Sequence, residues 1–186
     1  MDILQEKDLL DQTFADGGEA ELGLAIEFYG QPLLRYCHNI LCDYHEAQDA
    51  VQVTFLKAYE NRTKYRNGTS LSAWLYRIAY HTCIDTIRRK TLFFFTPASG
   101  APKTHTGISD ELFGALSRLS AMERSLIYGR IMEERSYREL AEIHRITEPA
   151  ARKRRERARK KLAGLLRKDN RQEESSIVDW RNQHEI

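Results

Sequence analysis

Three residues with a short oxygen-bearing side chain are each followed, three positions later, by glutamate: Asp43 with Glu46, Ser120 with Glu123, and Ser136 with Glu139. The first side chain of such a pair accepts from an otherwise unpaired backbone amide, and the glutamate reaches back to the capping residue. Each pair therefore predicts the start of a helix. Thr147 with Pro149 just inside predicts another start, and Ser109 ahead of Asp110-Glu111-Leu112 a further one. Strand signal is scarce, and apolar residues recur at helical rather than alternating spacing. The expected class is all-α: two small helical domains joined by a flexible linker, the second a helix-turn-helix.

A pass along the chain gives the boundaries. Residues 1–18 form an acidic N-terminal segment. Residues 19–91 form the first domain. In it a helical stretch over 20–42 is split or restarted at Pro32, and a helix from Asp43 runs to about Glu60. On that helix Ala47, Val51, Phe55 and Ala58 share a face. Asn67-Gly68 marks a turn, and a helix over about 70–90 buries Leu71, Trp74, Leu75, Ile78 and Ile87. Residues 92–108, rich in Pro, Gly, Ser and Thr, read as a linker with a reach of about 60 Å. Residues 109–168 form the second domain, in which the last two helices are only about three residues apart, the spacing of a helix-turn-helix. Residues 169–186 are a polar tail, apolar only at Ile177, Val178 and Trp180.

Composition adds an asymmetry. The 186 residues carry a formal net charge of only +2. Yet residues 1–30 hold eight acids against Lys7, and Arg152 to Lys161 hold eight bases in ten positions. A basic block on one helix points to a polyanion. In a helix-turn-helix the start of the second helix enters the major groove. There arginine pairs with guanine, while Lys and Arg neutralise phosphates. A solvated charged helix and a membrane-surface helix are the rival readings. The capped helix pair just upstream favours DNA, and the narrow apolar stripe, interrupted by Arg155, disfavours the membrane. Tyr65, Trp74, Tyr76 and Tyr80, interleaved with Arg66 and Arg77, suit stacking on unpaired bases. Trp74 reads more simply as core; Tyr65 reads equally well either way.

Other classes are disfavoured. No apolar run approaches the ~20 residues of a membrane span, and the acidic start lacks the form of a signal peptide. Cys37, Cys42 and Cys83 read as reduced thiols of a cytoplasmic protein. With His38, His45 and His81 they are possible metal ligands, but their spacing is unlike that of zinc sites. No metal or cofactor is expected.

The stretches "DAVQVTFLKAYEN", "SLSAWLYRIAYHTCIDTIRRK" and "LSRLSAMERSLIYGRIMEERSYRELAEIHRITEPAARKRRERARKKL" resemble the extracytoplasmic-function sigma factors of bacterial RNA polymerase, over about residues 20–168. The resemblance implies a non-enzyme that binds the clamp helices and flap of core RNA polymerase. It further implies binding to promoter DNA, both the melted non-template −10 strand and the −35 duplex, and control by an anti-sigma factor, without membrane insertion. It places the polymerase contact at Asp49, Val51, Gln52, Val53 and Leu56. It places the −10 contact at Tyr65, Arg66, Asn67, Gly68, Arg77, Tyr80, His81, Asp85, Arg88 and Arg89. The −35 contact falls at Thr147, Arg152, Lys153, Glu156, Arg157, Arg159 and Lys160. Glu156 could accept from cytosine, or simply counter its basic neighbours, the simpler reading.

Three positions depart from the family pattern: Val53 where glutamate is usual, Arg145 where the turn usually has glycine, and Arg155 where an apolar residue is usual. Two alternatives remain open. One is a helix-turn-helix regulator acting without polymerase; the other is a sigma-like interaction protein that does not initiate.

Overall fold

The computed structural model describes residues 3–93 and 110–184. Among them it contains eight α-helices, one 3-10 turn and no strand. The helices are α1 (Ile3–Thr13), α2 (Glu19–Leu41), α3 (Tyr44–Glu60), α4 (Leu71–Phe93), α5 (Asp110–Ser117), α6 (Ala121–Ile131), α7 (Tyr137–His144) and α8 (Glu148–His184). The 3-10 turn, Arg62–Lys64, lies between α3 and α4. The linker expected over 92–108 lies, beyond Phe93, outside the described residues, as does Ser109.

The caps explain most of the helix starts. Ser120 Oγ accepts from Glu123 N (3.3 Å), and Ser120 N donates to Glu123 Oε2 (2.7 Å). Ser136 and Glu139 repeat the arrangement at 3.2 and 2.8 Å. At Asp43 only half of the expected box forms. Its carboxylate accepts from Glu46 N (3.0 Å), but the Glu46 carboxylate pairs with Lys90 Nζ (3.0 Å). The start of α2 adds the other half of such a box, which the sequence reading missed: Gly18 N donates to Glu21 Oε2 (2.7 Å), while glycine has no side chain to accept in return.

Two boundaries differ from expectation. Pro32 does not split the second helical stretch, since α2 runs continuously from Glu19 to Leu41. A proline removes one backbone donor and crowds the preceding turn. Burial of Leu33, Tyr36, Cys37 and Ile40 just beyond it holds the helix together. The polar tail is also helical, because α8 does not stop near Lys168 but continues to His184. No Gly or Pro follows Gly164 to end it.

α2, α3 and α4 pack on one another, and α1 lies against α2. Their core holds Leu33, Tyr36, Ile40, Ala47, Phe55, Leu71, Leu75 and Tyr76, with Leu10 and Phe14 added from α1. Complete burial of a side chain such as Leu33 contributes about 1.5–3 kcal/mol. Trp74, Ile78 and Ile87, expected in this core, are only partly buried, whereas Tyr76 and Tyr80 lie within it.

α6, α7 and α8 surround Leu126, Leu140, Ala141 and Ala151. Gly129 of α6 allows the close approach of α7, because a Cβ there would stand 2.8 Å from Leu140 Cδ2. α5 joins α8 around Leu116, Leu119, Ile127 and Ala158.

The two modules do not stand apart. α6 packs on α2 and α7 on α4, and Ile143 of α7 belongs to the same buried cluster as the N-terminal core.

Candidate nucleic-acid interface

Three exposed surfaces have distinct chemistry. The first is on α2 and α3. Asp49, Gln52, Val53 and Leu56 are all exposed on α3, Leu56 to 61%. Beside them Leu22, Ile26, Leu34, Val51 and Phe55 line a shallow groove between the two helices. The structure thus brings four of the five expected polymerase-contact residues to one exposed helix face, while Val51 is half-buried in the groove beside them. Ile26, 47% exposed, extends this apolar face onto α2 and was not picked out from the sequence as exposed.

The second surface is the 61–70 loop and the adjoining face of α4. Arg66, Gly68, His81, Arg88 and Arg89 are exposed, and Arg77 is half-buried. Arg66, Arg77 and His81 line a common cleft with Lys64 and Trp74. Two residues expected to face a DNA strand are buried instead. Tyr65 is 4% exposed, its ring against Phe14 and Trp74. Its hydroxyl lies between the Asp11 and Thr69 carbonyls and can donate to either. Tyr80 is 7% exposed, with the His144 ring edge-on at 4.5 Å. Asn67 is also engaged, its amide accepting from Ala15 N (3.0 Å) and donating to Asp16 Oδ2 (2.8 Å).

The third surface is the outer face of α8. Arg152, Lys153, Glu156, Arg157 and Lys160 line one open concavity with Glu148 and Pro149. Thr147 caps the helix, accepting from Ala150 N (3.4 Å), and is exposed. Arg159 is turned onto Glu156 (2.7 Å), which holds the Glu156 carboxyl below its ordinary range. Arg152 lies 3.3 Å from Glu148 and 4.9 Å from the centre of the Tyr137 ring, so it is steered before any ligand arrives. Arg155 is half-buried on the inner side, its Nε without a hydrogen-bond partner in the protein, and its guanidinium reaches Glu156 at 3.6 Å. The stripe interrupted by arginine therefore persists in the fold, with Ala151 and Ala158 carrying the packing.

Between the modules runs a chain of polar contacts. Arg124 is 8% exposed and donates to the Ile40 carbonyl at the end of α2, and to the Leu116 and Leu119 carbonyls at the end of α5. Four backbone carbonyls lack partners at every helix C-terminus, which is where a buried guanidinium is well satisfied. Tyr36 OH meets Ser125 Oγ (2.6 Å), which in turn meets His144 Nε2 (2.9 Å). Burial, and then the charges of His81 and Arg154, push His144 down to about 4. Arg135 stacks on the Tyr76 ring (3.8 Å) while pairing with Glu133 (2.8 Å) and donating to Ser72 Oγ (3.0 Å). Arg77 Nε donates to the Glu142 carbonyl (3.2 Å). Motif reading from the sequence found none of this network, because no local pattern encodes a contact between residues 40 and 124.

The departure at Arg145 has a geometric expression. The residue caps α7 in the left-handed region (φ 51°, ψ 47°). Its side chain faces the second surface, lining the cleft beside Arg77 and His81. Burial and the Arg145 charge hold His81 below its ordinary value.

Cys37 and Cys83 are buried free thiols, and Cys42 ends α2. Among the described residues no group of three or more His, Cys, Asp or Glu is placed to hold a metal ion. Among the same residues no helix is long and apolar enough to cross a membrane.

Both modules are similar to known proteins. Residues 25–92 match the family "Sigma-70 region 2" and residues 109–162 match "Sigma-70, region 4". The chain is 33% identical over 128 residues to RNA polymerase sigma factor YlaC of Bacillus subtilis, covering 62% of this chain and 74% of that protein. It is 28% identical over 162 residues to ECF RNA polymerase sigma factor SigW of the same organism, covering 76% and 87%. Its fold resembles that of CnrH, solved with the cytosolic domain of CnrY (TM-score 0.68, 21% identity, 88% of this chain and 98% of that one). It also resembles the sigma factor RpoE of Bartonella quintana, solved with the anti-sigma factor NepR (TM-score 0.64, 23% identity, 76% and 94%). With both sigma regions present in order, and relatives similar over most of their length, the chain belongs to the extracytoplasmic-function RNA polymerase sigma factors and directs core polymerase to promoters.

Proposed function

We propose a division of this sigma factor's work among its three surfaces. The exposed faces of α2 and α3 dock on core polymerase in the cytoplasm. The 61–70 loop and α4 hold the melted −10 strand, and the first three turns of α8 hold the −35 duplex. One observation carries the reading: an apolar face at Leu56, a basic cleft at Arg66 and Arg77, and a basic ridge at Arg152 to Lys160 stand on a single chain.

On this reading the packed arrangement is a resting form. Elements centred near −10 and −35 lie about 25 base pairs apart, or about 85 Å at 3.4 Å per pair. Modules in contact through α4 and α7 cannot touch both, so binding requires them to part. Parting also uncovers Tyr80 and frees Arg77 from Glu142. Tyr65 and Asn67 shape the reading loop, and Arg66 reaches from it.

The groove between modules suits an anti-sigma factor. Leu116, Ile127, Tyr128, Ile131, Met132 and Leu162 are among the residues lining its volume of about 530 Å³. Both solved structures similar in fold were obtained with a partner protein bound, named as an anti-sigma factor for RpoE. An apolar helix seated there would hold the modules closed.

Run-off transcription with purified core polymerase and a promoter library tests the reading. The chain should co-purify with core enzyme and yield discrete start sites. Binding to DNA without binding to core polymerase would instead support a helix-turn-helix regulator. Binding to core without initiation at any promoter would support an interaction protein.

A further inference from the structure

α1 and the residues that follow it are fastened by hydrogen bonds to the 61–70 loop and to the start of α4. The Asp11 carbonyl accepts from Gly68 N (2.8 Å), and its carboxylate Oδ1 accepts from Leu71 N (3.1 Å) at the start of α4. Ala15 N donates to Asn67 Oδ1 (3.0 Å), and Asp16 Oδ2 accepts from Asn67 Nδ2 (2.8 Å). Arg62 Nε donates to the Gly17 carbonyl (3.0 Å). Phe14, 1% exposed, closes the space beneath by packing against both Tyr65 and Trp74.

These contacts fix backbone as well as side chains. Gly68 has φ +78°, a conformation that glycine adopts without the steric penalty of a side chain. Its amide is held there by Asp11 rather than by its own loop. The Leu71 amide belongs to the first turn of α4, which has no intrahelical acceptor. A carboxylate arriving from another helix satisfies that amide and favours the positive end of the helix. Residues 11–17 therefore join the Ser70 hydroxyl, which accepts from Ala73 N (3.1 Å), in holding the start of α4, and they hold the turn ahead of it.

We propose that Asp11, seconded by Asp16, is a positioning residue for promoter reading: it holds the 66–68 turn in the shape in which Arg66 meets the −10 strand. This rests on the reading of the 61–70 loop as the −10 strand site. Asp11 touches no DNA. Its carboxylate acts through Leu71, its backbone carbonyl holds Gly68, and Asp16 acts through Asn67. The acidic segment is thus a mould for the loop, through the half-buried Asp11 and the exposed Asp16.

The test uses the full chain bound to core polymerase. The probes are a single-stranded non-template oligonucleotide carrying a mapped −10 element and a −35 duplex. Asp11→Ala should weaken −10 strand binding about fivefold to tenfold, the effect of one lost hydrogen bond. It should also blunt discrimination among bases, while leaving core and −35 binding unchanged. Asp11→Asn retains the Oδ1 acceptor and should restore both affinity and discrimination. Asp16→Ala, at an exposed position that cannot unfold the core, should weaken −10 binding about twofold to threefold. Arg66→Ala monitors the underlying reading. If Arg66→Ala weakens −10 binding and neither aspartate variant does, the positioning role is overturned and the loop assignment stands. If Asp11→Asn is as defective as Asp11→Ala, the acceptor argument is overturned. If Arg66→Ala too has no effect, the loop is not the −10 site and the inference falls with that assignment.

Discussion

Arg77 of α4 holds Glu142 of α7 twice, donating from Nε to the backbone carbonyl at 3.2 Å and facing the carboxylate at 3.7 Å through Nη2. A guanidinium expected to face the −10 strand is thus occupied by oxygens of the second module. Glu142→Ala leaves the carbonyl and removes the charge. The pair is partly solvated, so the change should raise −10 strand affinity by about twofold, in line with about 0.2–1 kcal/mol for exposed pairs. Fluorescence anisotropy on a labelled strand measures it, and unchanged or lower affinity would show that the contact does not compete with DNA.

His144 gives the closed form a pH dependence of known sign. Its pKa is pushed from the ordinary 6.5 to about 4, first by burial and then by the nearby charges of His81 and Arg154. The unfolded chain then binds a proton that the folded chain refuses. The contribution is complete above pH 6.5 and is lost as pH falls from there toward 4. His144→Gln should remove that part of the slope. Urea titrations of both proteins at several pH values from 4 to 7 would show it as converging curves at the acid end.

Arg145 occupies the left-handed region with a full side chain. Relief of that conformation by Arg145→Gly should stabilise the second module by about 1 kcal/mol. A higher urea midpoint with an unchanged slope is the expected signature. The same change removes a cation from the cleft of Arg77 and His81, so −10 strand binding should weaken even as stability rises.

On α8 two cations should behave differently. Arg152 is oriented by Glu148 and Tyr137 near the helix start. Lys160 lies two turns further on and is exposed. Arg152→Ala should lose affinity unevenly across −35 variants, by about 1–3 kcal/mol at the favoured base. Lys160→Ala should weaken all sites alike and lower the salt slope by about 1. Equal sequence sensitivity of the two would place a different register of α8 in the groove.

Leu56 is the most exposed apolar residue on the α2–α3 surface. Leu56→Asp should weaken core-polymerase binding by at least about 2 kcal/mol if the side chain is an interface anchor. It should leave the thermal midpoint nearly unchanged, because no packing is lost. Native-gel titration with core enzyme reads the first effect and calorimetry the second.

Legibility from sequence followed the range of each interaction. Helix starts at Ser120, Ser136 and Thr147 depend on partners three residues away, and a single chain displays those directly. The basic face of α8 was legible for the same reason, as helical spacing alone places Arg152, Glu156 and Lys160 together. Pro32 misled because a local rule met a tertiary one: the buried face beyond it outweighs one missing donor. Tyr80 misled differently. Its periodicity on α4 allowed an outward position, and only the docking of α7 turns that position inward. Likewise, nothing near Asp11 in sequence announces Gly68 as its partner.

The length of α8 carries a mechanical consequence. From Glu148 to His184 it is one unbroken helix of 37 residues, about 55 Å at 1.5 Å per residue. Its first turns carry the exposed cations Arg152 and Lys153, and it runs 19 residues past Leu165, the last of its residues named in the second module's core. A partner gripping that end would hold a crank, able to rotate the cationic edge about its axis without touching the module in which that edge is seated.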